Sequence, residues 1–349
     1  MLVNIVLLLL GLILLVKGSN LFVKAASTIA KKFGVSEFII GLTLIAIGTS
    51  LPELISAIFA SVKRESGLIM GNIIGANITN ISLIIGIAAV IAVLKTKKHM
   101  LERDGYFLLF SVIILFIAII DGKISGLEGV FFVTLYIAYT FFLFEKKPEL
   151  KRDLNFRDFI TYFYKFQYIT TIRSKLLSNF KKDHITSKEK RQALMLFEAG
   201  VFKDIIIIIF SGVLVIIGAE YLVNNAVFFA NILDVPETIM GIFIAIGTTM
   251  PELSVAIAAS RKNLGNIIIG NAIGSCLTNI FLILGISALI FPITVTKLTL
   301  WYIVPFLAFL SILLIITTKS DWEIRKREGI LFIVLYALFL LFILHGAVS

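Results

Sequence analysis

The chain has 349 residues, of which 59% are apolar and only 15% charged, with a mean hydropathy of +1.02. Soluble domains carry about a quarter charged residues, so the composition fits a helical membrane protein and argues against a soluble enzyme. The single cysteine, Cys276, excludes an intramolecular disulfide, and with three scattered histidines it also excludes a Cys/His zinc site. A net charge of +10 raises nucleic acid or an anionic surface as partners.

A membrane span needs about 20 mostly apolar residues. Ten segments qualify, roughly Leu2–Ala30, Phe38–Val62, Leu68–Leu94, Tyr106–Ile120, Leu127–Phe144, Ile205–Ala230, Thr238–Ser260, Ile267–Phe291, Trp301–Thr317 and Ile330–Leu344. The first and sixth are long and carry polar residues, so each could be a span plus a surface piece. No positive region precedes Leu2 and no small-residue cleavage site follows it, so the first segment reads as a span rather than a signal peptide. The fold class is therefore an all-α membrane protein with ten transmembrane helices.

The gaps between spans, taken alternately, hold 26 Lys and Arg in one set and 4 in the other. Without residues 145–202 and Lys203 the ratio is still 12 to 4. This bias puts both termini outside and residues 145–202 in the cytoplasm of a multi-pass cell-membrane protein. Topology accounts for the basic charge, and nucleic acid drops out as a partner. Residues 145–202 hold 13 basic and 7 acidic residues. Phe156, Phe159, Phe163 and Phe166 recur there at helical spacing, which suits an amphipathic helix on an anionic leaflet or a solvated linker.

Ile45–Ile87 aligns with Ile244–Ile286 at a constant offset of 199, without a gap, at 25 identities in 43 positions. Similarity extends upstream, Val35-Ser36-Glu37 against Val235-Pro236-Glu237, after a one-residue shift. The copies lie five spans apart. An odd number reverses the sense of crossing, so the chain reads as two inverted five-helix repeats: residues 1–144 (first α-repeat about 39–87) and 203–349 (second about 238–286). Inverted repeats place a substrate site near the midplane, where discontinuous helices meet.

The repeated residues are suited to holding a cation. Pro52 and Pro251 interrupt apolar spans and deny an N–H to the carbonyls of Gly48 and Gly247. Neighbouring carbonyls such as those of Ala46 and Ala245 are freed as well, and in hydrocarbon something must satisfy them. Glu53 and Glu252 follow one residue later, and a carboxylate at bilayer depth is functional by default. Thr49 precedes Glu53 by four residues, as Thr248 precedes Glu252, so each pair shares a helix face. In the next span Asn72, Ala76 and Asn80 form a stripe matched by Asn271, Ser275 and Asn279. Asn72 and Asn271 could brace the helix breaks. Gly71 and Gly75, like Gly270 and Gly274, form GxxxG pairs suited to close helix packing. Such oxygen-only sites select hard cations: Ca²⁺, Na⁺ or, less suitably where water must be shed, Mg²⁺.

At these residues the chain resembles the sodium/calcium exchangers of the cation/calcium exchanger superfamily, of the prokaryotic type. The resemblance implies a transporter rather than an enzyme, with Ca²⁺ exported against entering Na⁺. It implies no cofactor and no obligate protein partner; the partners are the two transported ions and the bilayer. By matched position, Glu53 and Glu252 would hold Ca²⁺ with Thr49 and Thr248. Ser50, Thr249, Ser275 and the carbonyls of Ala46 and Ala245 would help hold Na⁺, and Asn80 and Asn279 would line the central position. Three positions depart from the family pattern. Ala76 stands where Ser is usual, which bears on the number of Na⁺ ions. Cys276 stands where Asn is usual. Asn279 replaces an Asp found in potassium-dependent relatives. Proton-coupled relatives carry a GN-x-x-E pattern where this chain has GN-x-x-G, which favours sodium coupling. A Ca²⁺/H⁺ antiporter and a cation channel are the alternatives. Phosphate-binding and nucleophile motifs are absent.

Overall fold

The computed structural model describes residues 1–32, 46–143, 155–171 and 202–348. The start of the second expected span, the Val35-Ser36-Glu37 match and most of residues 145–202 lie outside the described residues. Helix α1 (Leu2–Lys32) comes first. The second apolar segment holds α2 (Ala46–Thr49) and α3 (Leu51–Val62). Then follow α4 (Ser66–Ile91), α5 (Tyr106–Ala118) and α6 (Gly126–Leu143). Helix α7 (Phe156–Tyr164) lies in the basic segment. The second half repeats the order with α8 (Phe202–Leu233), α9 (Glu237–Thr248), α10 (Met250–Ser260), α11 (Gly265–Ile290), α12 (Thr299–Asp321) and α13 (Lys326–Val348). Among the described residues eight helical stretches are long and apolar enough to cross a membrane, and α3 is apolar but shorter.

Helices α1 and α8 are unbroken over 31 and 32 residues. At ~1.5 Å per residue each is about 46 Å long, more than the ~30 Å hydrocarbon core. Each is thus one continuous helix, and the length beyond the core continues the span without a break. They pack on each other where side chains are smallest: a Cβ on Gly11 would lie 2.9 Å from the Gly218 carbonyl oxygen, and one on Gly218 2.5 Å from the Leu15 nitrogen. Their outer faces expose Leu9, Ile13, Ile206 and Ile209, as a lipid-facing helix does. Helices α4 and α11 are the opposite case, buried along most of their length.

The two halves exchange partners. Helix α13 crosses α4 where Gly86 and Gly329 meet, and α6 crosses α11 where Gly129 and Gly285 meet. These glycines are equivalent under offsets of 199 and 200. Four two-residue strands, which the sequence pattern did not suggest, follow the same rule. β1 (Leu94–Lys95) pairs antiparallel with β4 (Glu323–Ile324), and β2 (Lys123–Ile124) with β3 (Ile293–Thr294). Each ribbon joins one repeat to the other.

Helix α7 starts at a reciprocal cap. The Asp158 N–H donates to the Asn155 side chain at 3.1 Å, and the Asn155 N–H donates to the Asp158 carboxylate at 3.0 Å. Its phenylalanine face does not wholly meet lipid. Phe159 and Tyr162 are buried, Phe159 edge-on to Phe107 at 4.6 Å and Tyr162 on Phe142 at 5.5 Å. Phe166 lies beyond the helix, exposed, in a left-handed conformation (φ 51°).

Candidate cation site

Pro52 and Pro251 stand at the second residue of α3 and α10. The chain accommodates them by letting Ser50 (φ −87°, ψ 12°) and Thr249 (φ −81°, ψ 5°) leave the helical region. Helical bonding then resumes: the Leu54 N–H donates to the Ser50 carbonyl at 3.0 Å and the Leu253 N–H to that of Thr249 at 3.1 Å. The Ala245 carbonyl is less free than the sequence suggests. It accepts the Thr249 N–H at 3.0 Å and the Thr249 hydroxyl at 2.8 Å. That hydroxyl must turn before the carbonyl can serve an ion fully. Ala46 opens α2, and its contacts lie outside the described residues.

Glu53 and Glu252 fall in the first turns of α3 and α10, where the helix dipole favours a carboxylate. Each is 1% exposed. Oε1 of Glu252 accepts long hydrogen bonds from the hydroxyls of Ser50 (3.5 Å) and Ser275 (3.4 Å). Oε2 of Glu252 and both carboxylate oxygens of Glu53 have no hydrogen-bond partner. The threonines cross over: Thr49 faces Glu252 and Thr248 faces Glu53. Spacing along one helix pairs each threonine with its own repeat's glutamate, but the break at residues 50 and 249 turns it toward the other repeat. All four groups are buried, as are Ser50, Thr249 and Ser275.

Asn72 braces this arrangement. Its Nδ2 donates to the Ser56 hydroxyl (2.8 Å), which donates to the Glu53 carbonyl (3.0 Å), while the Thr248 hydroxyl donates to Asn72 Oδ1 (3.3 Å). Asn271 is half-buried, and Val255 occupies the place equivalent to Ser56, so the second repeat lacks the hydroxyl that links Asn72 to the Glu53 carbonyl. Asn80 opens a π turn (Asn80–Ile84), and Asn279 is the second residue of another (Thr278–Ile283). Such turns recur at functional sites. Both amide atoms of Asn80 and Oδ1 of Asn279 are buried without a partner. A Cβ on Gly71 would meet the Thr238 carbonyl oxygen at 2.0 Å, and one on Gly75 the Ile242 Cα at 3.0 Å, so α4 and α9 touch backbone to backbone there. The nearest described atom to a Cβ on Gly270 is in Met100 at 3.6 Å, and Gly274 has none within 4 Å. The residues equivalent to Thr238 and Ile242 lie within 33–45, outside the described residues.

Sequence reasoning missed several residues. Ser56 has no special spacing. Tyr136 and Tyr336 bond the hydroxyls of Thr278 and Thr79 at 3.2 and 3.1 Å, each reaching across to the start of the other repeat's π turn, within it at Thr278 and one residue before it at Thr79. Asn77 could have been found as an amide in an otherwise apolar stretch. It faces its own equivalent, Cys276, through Nδ2 to the Cys276 carbonyl at 3.4 Å and Cys276 Sγ to the Asn77 carbonyl at 3.8 Å.

The arrangement offers two carboxylates, hydroxyls and amide oxygens, with no thiolate or imidazole. Among the described residues no cluster of three His, Cys, Asp or Glu occurs, and no described ion pair involves Glu53 or Glu252. Uncompensated buried carboxylates cost several kcal/mol each, roughly. A hard cation compensates them with ligands already in place.

Comparison with known proteins adds to this. Residues 3–145 and 203–345 match the family described as sodium/calcium exchanger protein. The chain is 46% identical over 346 residues to sodium/calcium exchanger MaX1 of Methanosarcina acetivorans, covering 98% of this chain and 99% of that protein. It is 30% identical over 309 residues to uncharacterized membrane protein MJ0091 of Methanocaldococcus jannaschii, covering 88% and 87%. Among solved structures it is similar to the sodium-calcium exchanger NCX_Mj soaked with 2.5 mM Na⁺ and 10 mM Sr²⁺, at a TM-score of 0.58, 30% identity and 97% coverage of both chains.

Proposed function

The chain belongs to the sodium/calcium exchanger family, and from that premise we propose that it exports Ca²⁺ in exchange for Na⁺ by alternating access. It is a transporter, not an enzyme. The observation that carries the reading is the pair of buried glutamates, equivalent under the repeat, with three of four carboxylate oxygens unpartnered. Two negative charges match one Ca²⁺, or Na⁺ ions in its place, so the ions compete for one site. Ca²⁺ would sit between Glu53 and Glu252 with Thr49 and Thr248. Na⁺ would draw on Ser50, Thr249, Ser275 and the carbonyls of Ala46 and Ala245, with Asn80 and Asn279 at the centre.

The membrane arrangement belongs to the same proposal: ten spans as two inverted five-helix repeats, both termini outside the cell membrane and residues 145–202 cytoplasmic. The exchanged helix and strand partners support the inversion. Helix α1 is the natural moving part. A Cβ on Gly48 would meet Val23 at 2.6 Å and one on Gly247 would meet Leu12 at 2.5 Å, so α1 lies over both helix breaks. An empty site carries bare charge and resists burial; a loaded one is neutralised and lets α1 and α8 slide.

The test is ⁴⁵Ca²⁺ uptake into Na⁺-loaded proteoliposomes. Uptake driven by an outward Na⁺ gradient is expected. Uptake that ignores Na⁺ and follows a pH gradient overturns sodium coupling, and uptake that needs no counter-ion points to a channel.

A further inference from the structure

Two helix positions divide the cation site into unlike halves. The Asn77 Nδ2 meets a backbone carbonyl, that of Cys276 at 3.4 Å, and a carbonyl can only accept. This fixes the Asn77 amide and leaves its Oδ1 as the acceptor for Asn279 Nδ2 at 2.8 Å. Asn279 is thereby fixed too, with Oδ1 turned away from Asn77, buried and without a partner. Ser275, one helical turn earlier, donates to Glu252. The half around Glu252 is thus held by hydrogen bonds before any ion arrives.

The repeat exchanges Asn77 with Cys276 and Asn279 with Asn80. The mirror bond would run from Asn80 Nδ2 to a side-chain oxygen at residue 276, where a thiol stands. Accordingly both amide atoms of Asn80 lack a partner. Ala76, in the place of Ser275, has no hydroxyl to offer Glu53, and the Thr249 hydroxyl, in the place of Ser50, donates to the Ala245 carbonyl instead, which leaves Thr248 as the hydroxyl that faces Glu53. The Asn279 amide is preset and the Asn80 amide is not, and this difference traces to Asn77 and Cys276.

We infer that Asn77 is a positioning residue that presets the Asn279 oxygen as a cation ligand, while Cys276 leaves Asn80 to be ordered only when the ion binds. The inference deepens the exchange reading and rests on it for the identity of the ions. A preset oxygen contributes fully, whereas ordering a free side chain weakens its contribution by about 2–10-fold in affinity.

The experiment exploits the pseudo-symmetry. Equilibrium ⁴⁵Ca²⁺ binding to purified protein is measured for Asn80→Ala and Asn279→Ala, in the natural background and in Asn77→Cys/Cys276→Asn. In the natural background Asn279→Ala is expected to raise the dissociation constant ~2–10-fold more than Asn80→Ala; in the exchanged background the order reverses. The milder Cys276→Asn, which keeps Asn77, is expected to make Asn80→Ala as damaging as Asn279→Ala, and it serves if the exchanged pair does not fold. The same order in every background overturns the inference, because a purely packing role for residue 77 cannot transfer sensitivity from Asn279 to Asn80. Binding reads the order without transport, so failure of sodium-driven uptake would count against the exchange reading alone.

Discussion

Replacing Gly71 with alanine forces apart the two helices that frame Glu53. The new Cβ would lie 2.0 Å from the Thr238 carbonyl oxygen and 2.8 Å from its carbonyl carbon. Both are backbone atoms, so no side chain can swing aside. Ordinary carbon–oxygen contact begins near ~3.3 Å, so α4 and α9 must separate by roughly 1.3 Å. The Thr248–Asn72 hydrogen bond is already 3.3 Å long and cannot survive that shift. Overpacking costs about 1–3 kcal/mol, and the stranded Asn72 oxygen adds about 1–3 kcal/mol, while the Thr248 hydroxyl keeps the Ala245 carbonyl as an acceptor. Displacing the hydroxyl that faces Glu53 by about 1 Å is expected to slow transport by up to ~10²-fold. Thermal unfolding in detergent and Na⁺-driven ⁴⁵Ca²⁺ uptake read the two effects. Gly212→Ala is the control, since nothing lies within 4 Å of a Cβ there, and both readouts should stay at wild type. A Gly71→Ala protein that melts with wild type and transports within about twofold of it would refute the close-packing argument.

Other parts of the structure give sharp expectations too. Ser275→Ala removes a donor from Glu252 and a hydroxyl from the proposed Na⁺ ligand set; the Na⁺ concentration for half-maximal exchange should rise by ~3–10-fold, with an unchanged value counting against Ser275 as a ligand. Tyr136→Phe and Tyr336→Phe each delete one bond at the start of a π turn, so each should cost about 0.5–1.5 kcal/mol in unfolding free energy. Equal losses would support the pseudo-symmetry, and loss in only one would break it. Phe159→Ala empties the seat of α7 on Phe107 and Phe142, at about 3–5 kcal/mol if α7 stays docked. Faster hydrogen exchange across residues 155–171 is expected, and unchanged exchange would mean that the seat does not hold the helix.

The helix breaks and their carboxylates were legible because proline and buried glutamate are costly wherever they fall in an apolar run. Close packing at Gly71 and Gly75 was legible from their spacing. The gapless offset of 199 identified equivalent residues, but not which of them meet. Thr49 and Glu53 share a helix face by count, yet the break at Ser50 turns Thr49 to the other repeat's glutamate. Asn72 and Asn271 look alike in sequence, and the hydroxyl that links Asn72 to the Glu53 carbonyl, that of Ser56, is replaced by Val255 in the second repeat. The tyrosine bonds to the π turns span more than 140 residues, and no local pattern encodes such a contact. The phenylalanine spacing in residues 156–166 is that of an amphipathic helix, but spacing alone cannot distinguish a lipid surface from the aromatic seat formed by Phe107 and Phe142.

On the exchange reading, Glu53 and Glu252 together form one site shared by both ions. Equilibrium ⁴⁵Ca²⁺ binding to the purified protein, titrated with Na⁺, tests it directly in wild type, Glu53→Gln and Glu252→Gln. Saturable Ca²⁺ binding that Na⁺ displaces is expected in wild type, and its loss in both variants. Saturable binding that persists in either variant, or that Na⁺ leaves untouched in wild type, would contradict a shared site built on the two carboxylates.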